Sequence, residues 1–162
     1  MKPILMIGLG NPLVGDDGIG AALVDELARS AEWSRRADFV AGGCDLLRLA
    51  DTMVGREVVV VIDAVLGDSE PGTVSVHVEP FGDFETCSGS AHELSAIQAI
   101  GLLKTISPRL RDTPFVLVAV AVRELRHEAS LADRLPEVSR RVHAALGPAL
   151  RGRSASGLAQ PL

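Results

Sequence analysis

PILMIGLGNPLVGDDGIGAALVDELAR, residues 3–29, contains a strand, a glycine-rich loop and a helix in succession. Residues 3–9 are apolar without alternation, as expected of a strand buried on both faces. Gly8, Gly10 and Asn11 break that run, and Ile19, Leu23, Val24 and Leu27 then recur at helical spacing with Asp25, Glu26 and Arg29 on the opposite side. A buried strand that empties through a glycine-rich loop into an amphipathic helix is the opening unit of a parallel α/β sheet.

Downstream, the same unit repeats. DFVAG (38–42) is a weaker strand and DLLRLADTM (45–53) a short helix entered from Gly42 and Gly43. VVVVI (58–62) is a second buried strand, stopping at Asp63, and FVLVAVAV (115–122) a third. The alternation predicts an α/β three-layer sandwich: a mostly parallel mixed sheet of about five strands with helices on both faces. GDSEPG (67–72) is turn chemistry, and in TVSVHVE (73–79) Val74, Val76 and Val78 alternate with Ser75, His77 and Glu79. That segment is expected at a sheet edge, antiparallel to its predecessor, because the connection is too short for a crossover helix. SGSAHELSAIQAIGLLKTI (88–106) reads as a helix capped by Ser90, with Leu94, Ile97, Ile100 and Leu102 or Leu103 on one face. A last helix is expected from Ala132 to Leu146 through Leu135, Val138 and Val142. One domain over 1–150 and a flexible tail over 151–162 complete the organisation.

Composition narrows the class. The 162 residues are 47% hydrophobic, and 16 Lys plus Arg against 21 Asp plus Glu leave a formal charge of -5, the wrong balance for a nucleic-acid binder. Cys44 and Cys87 lie far apart, against a disulfide-stapled module or a sulfur-rich zinc site and in favour of a reducing cytoplasm. The apolar runs fall far short of the roughly 20 residues of a membrane helix, so no insertion into a bilayer is expected.

An open parallel sheet binds its ligands outside the carboxyl ends of its strands. GLGNPLVGDDGIG (8–20) leaves the first strand there and Asp63 the valine strand, so Asn11, Asp16, Asp17 and Asp63 are candidates for one rim. Asp16 taken alone is better explained as a helix cap. Asp63, directly after five apolar residues, is at least partly buried and needs a partner. His92 is the third element. Two carboxylates and an imidazole can hold a hard or borderline divalent ion, or serve as acid and base without one. His77 is expected to face solvent, and His127 and His143 carry no motif; Cys44, before a helix, is a weaker thiol candidate. A dinucleotide fingerprint fails because its third glycine would fall at Leu13, a triphosphate loop fails for want of Lys followed by Ser or Thr, and G-x-S-x-G is absent.

With GLGNPLVGDDGIG (8–20), AGGCDLLRL (41–49), VVVVIDAV (58–65) and SAHELS (90–95) in that order, the chain resembles the hydrogenase maturation proteases, endopeptidases that process the large subunit of nickel-iron hydrogenases. The resemblance covers most of residues 3–106 and fades after 123. It implies a phosphorylase/hydrolase-like fold, aspartic-type peptidase activity, and Asp17, Asp63 and His92 as both catalytic residues and metal ligands. It further implies a cytoplasmic monomer with no tightly bound cofactor of its own, which senses nickel carried by the hydrogenase large-subunit precursor and then removes a carboxy-terminal extension. Two rivals stand beside it. One is a nickel metallochaperone or assembly factor using the same residues without hydrolysis. The other is peptidyl-tRNA hydrolase, which shares the GLGNP start but whose tyrosine this chain lacks altogether.

Overall fold

A computed structural model of the chain describes residues 1–81, 95–123 and 131–156, with side chains to 151. The buried runs form strands as expected: β1 (Ile4–Leu9), β3 (Val58–Leu66) and β5 (Phe115–Val122). β2 (Ala37–Gly43) and β4 (Val74–Val78) complete one five-stranded sheet in the order β2-β1-β3-β5-β4. All neighbours are parallel except β4 and β5.

Two expectations about this sheet are corrected. β4 is at the edge and antiparallel, but it pairs with β5 rather than with its predecessor β3. The cause is hydrophobic: FVLVAVAV is apolar on both faces and takes an interior place, whereas the alternating β4 tolerates a solvated edge. β3 also does not stop at Asp63. It continues through Leu66, with Asp63 opposite Ala119 and Leu66 opposite Val122.

Successive strand residues point to opposite faces, and each face has its own helical layer. Ile4, Met6, Val60, Ile62, Val116 and Val118 pack with α1 (Ile19–Ala28) and α5 (Leu135–Ser156). Leu5, Ile7, Val59, Val61, Phe115 and Leu117 pack with α4 (Ala96–Ile106) and with Leu46 and Met53, which lie on a 3-10 turn (Leu46–Leu49) and on the short α3 (Ala50–Met53). The three layers are those expected.

Helix boundaries shift where local chemistry outweighs periodicity. A short helix, α2 (Ala31–Arg36), has no apolar stripe to announce it and is held by one buried side chain, Trp33. α4 is capped by Ser95, whose hydroxyl accepts from Gln98 N while the Gln98 side chain accepts from Ser95 N, a reciprocal capping box. The expected cap, Ser90, and Leu94 lie outside the described residues. Leu103 rather than Leu102 is buried. α5 runs on past 150 to Ser156, because Leu150 prolongs the buried stripe of Val138, Val142 and Leu146. Among the described residues no helix is long and apolar enough to cross a membrane.

Candidate active site

The four parallel strands deliver their carboxyl ends to one rim, and the loop between β1 and α1 is folded tightly there. Gly10, at φ 110°, lies so close to the Asp17 carbonyl that a Cβ would clash with it. Gly20 does the same for the start of α1: a Cβ there would run into the carbonyl oxygens of Leu9, at the end of β1, and Ile62, one residue before Asp63 on β3. The glycine spacing therefore presses the acidic loop onto the end of β3. Gly10 N also donates to Gly43 O at 2.9 Å, tying the end of β2 and exposed Cys44 to the same rim.

Within the loop the polar groups hold each other. Asn11 Oδ1 accepts from Leu13 N at 3.0 Å, Val14 N donates to Asn11 O at 3.0 Å, and Asp17 N donates to Val14 O at 3.0 Å. The half-buried Asp17 carboxylate accepts from Asn11 N at 2.6 Å. Leu13, at the tip, is 79% exposed.

Asp16 departs from the cap reading. The residue at the N-cap of α1 is Gly18, which makes no side-chain cap bond, and the Asp16 carboxylate, buried, instead accepts from Leu131 N at 2.8 Å. Sequence reasoning missed this role, since nothing in GDDG announces a partner 115 positions away.

Asp63 is half-buried, as its apolar approach required. It shares its sheet face with Val59 and Val61, the face that α4 covers. Asp17 and Asp63 thus belong to neighbouring structures at one rim, while His92 lies outside the described residues. Among the described residues no group of three His, Cys, Asp or Glu side chains is placed to hold a metal ion.

Two of the other histidines, His77 and His143, have structural partners. His77 is half-buried on β4, with Nε2 2.9 Å from Ser75 Oγ, rather than open to solvent, and burial lowers its pKa below the ordinary 6.5. His143 Nδ1 accepts from Trp33 Nε1 at 2.8 Å and its Nε2 lies 3.0 Å from Glu32, joining α5 to α2. His127 lies outside the described residues.

Comparison with known proteins bears on this rim. A family model described as "HycI: Hydrogenase maturation protease" matches residues 21–151, including the stretch after 123 in which the motifs fade. A Methanocaldococcus jannaschii relative is 30% identical over 96 residues, 57% of this chain and 62% of its own. The "Hydrogenase expression/formation protein HupD" of Thiocapsa roseopersicina is 27% identical over 148 residues, 91% of this chain and 66% of its own. The chain thus spans slightly less than two thirds of either relative's length. Among solved structures, the NiFe hydrogenase maturation protease HybD from Thermococcus kodakarensis superimposes with a TM-score of 0.67 at 29% identity, covering 93% of this chain and 98% of that one.

Proposed function

The chain belongs to the hydrogenase maturation protease family, and from that premise we propose that it is an endopeptidase removing a carboxy-terminal extension from the nickel-loaded large-subunit precursor of a nickel-iron hydrogenase. Asp17, Asp63 and His92 do the work in this reading. The observation that carries it is the contact of Gly20 with the Leu9 and Ile62 carbonyls, which brings the Asp17 loop to the strand end holding Asp63.

The chemistry follows from the donors. Two carboxylates and an imidazole suit nickel that arrives with the precursor and leave coordination positions for the substrate. Without that cation the carboxylates repel each other, so the empty precursor lacks the interaction that seats its scissile peptide. Hydrolysis then consumes one water: its oxygen bonds to the peptide carbonyl carbon, the C–N bond breaks, and the new amine takes up a proton. A carboxylate at the rim is suited to move that proton, which makes the peptidase aspartic in type. The nickel belongs to the substrate, and the protease brings no tightly bound cofactor.

In this reading the protein is a cytoplasmic monomer that binds the precursor and no nucleic acid; the charge of -5 and the acidic rim support the last point. Incubation of purified protein with nickel-loaded precursor, followed by mass spectrometry of the precursor's carboxy terminus, tests the proposal. Loss of one defined peptide is expected. Tight nickel binding with an uncut precursor would move the assignment to a metallochaperone.

A further inference from the structure

We propose that Asp16 is a positioning residue that fixes Asp17 by anchoring the acidic loop to the backbone of Leu131. The functional consequence rests on the reading of Asp17 as part of the peptidase site; the positional one does not.

The two adjacent acids are used differently. Asp16 is 4% exposed and its carboxylate turns inward to Leu131 N, 2.8 Å away, whereas Asp17 is half-buried and turns to Asn11 N at 2.6 Å. Both lie on a single 3-10 turn, Gly15–Gly18, where consecutive side chains are separated by a third of a revolution. Fixing the direction of one therefore fixes the direction of the next.

Leu131 is a rigid point to anchor on. Its side chain is 1% exposed in the core shared with Val138 and Val142, and its carbonyl accepts from Arg134 N at 3.0 Å as the chain turns into α5. The turn begins and ends on glycine, Gly15 at φ 50° and Gly18, so Asp16 and Asp17 are the only side chains it carries beyond Cα. The bonds within the loop tie it to its own neighbours, and the bond to Leu131 is the one that ties it to the start of the last helical segment. It also explains the acidic pair: one carboxylate is spent inside the fold so that the other faces the rim in one orientation. A displacement on the order of 1 Å at a reacting group costs about a hundredfold in rate, which is why such an anchor matters.

The test uses the full-length protein labelled with 15N. The Asn11 amide, which donates to Asp17, reports the position of that carboxylate by its chemical shift, and Asp17→Ala defines the shift when the acceptor is gone. In Asp16→Ala, folded by circular dichroism, the Asn11 amide is expected to move toward the Asp17→Ala position, and kcat/KM on nickel-loaded precursor to fall roughly tenfold or more. Asp16→Asn, which keeps an oxygen to accept from Leu131 N, is expected to restore both. An unmoved Asn11 amide in Asp16→Ala, or Asp16→Asn as displaced as Asp16→Ala, would overturn the proposal. If Asp16→Ala does not fold, Asp16→Glu, with the acceptor one methylene further out, is measured in its place: a shifted Asn11 amide supports the anchor and an unshifted one overturns it. Failure of the wild type to cut the precursor would refute the peptidase reading alone, since the amide shift still decides the anchor.

Discussion

The two ends of the sheet use carboxylates in opposite ways. At the amino end, Asp38 on β2 is paired with the guanidinium of Arg56, which also donates to Lys2 O at 2.8 Å, while Lys2 N donates to Asp38 at 3.1 Å and the Lys2 ammonium lies 3.8 Å from it. The Arg56 hydrogen bond, more than any other influence, holds the Asp38 carboxyl below its ordinary pKa of 3.8. At the carboxyl end, Asp17 is held by a backbone amide and by no cation among the described residues. A neutralised carboxylate serves the fold. One held by a backbone amide alone is, in the proposed reading, the carboxylate that meets the ligand, and the fold must supply its position by other means.

The largest effect that would break this contrast is expected at Asp63. Asp63→Asn keeps volume and hydrogen-bonding capacity but removes the charge, and should lower cleavage of the loaded precursor by about 10²- to 10⁴-fold with an unchanged circular dichroism spectrum. Full cleavage by that variant, seen by electrophoresis, would remove Asp63 from the site. Asp17→Asn should cost roughly a hundredfold in the same assay, again without loss of structure.

Gly20→Ala attacks the geometry instead of the charge. Its methyl would meet two backbone carbonyls that cannot swing away, so roughly 1–3 kcal/mol of stability should be lost in urea unfolding, together with activity. Retention of wild-type stability would show that α1 is not pressed onto β3 as described.

The smallest effect belongs to the amino end. Asp38→Asn should destabilise the protein by about 1 kcal/mol at neutral pH, because a carboxylate one-third exposed is largely screened, and should leave cleavage intact. Since the folded pKa is depressed, the Asp38 contribution is fully present above the unfolded value near 3.8 and disappears as pH falls through the lower folded value. The stability gap between variant and wild type should therefore close in acid. A gap that widens there would contradict the pairing with Arg56.

Much of this was legible in the residues, for physical reasons that also explain what was not. VVVVI and FVLVAVAV have no polar face and so had to be interior strands, and the stripe of Ile19, Leu23, Val24 and Leu27 could only cover such a sheet. The partner of β4 was misread because a short connection constrains direction without excluding a later strand from inserting between neighbours. α2 was invisible because a single buried Trp33 has no periodicity. At the rim, glycines and acids announced a tight loop, yet the division of labour between Asp16 and Asp17 depends on Leu131, and a contact so distant in sequence leaves no local pattern.

As proposed, the rim recognises the substrate through the nickel it carries. Metal-stripped protease, mixed separately with nickel-free and nickel-loaded precursor and followed by the mass of the precursor's carboxy terminus, tests it most directly. Loss of a defined peptide from the loaded form alone is the predicted result; equal cleavage of the nickel-free precursor would contradict it.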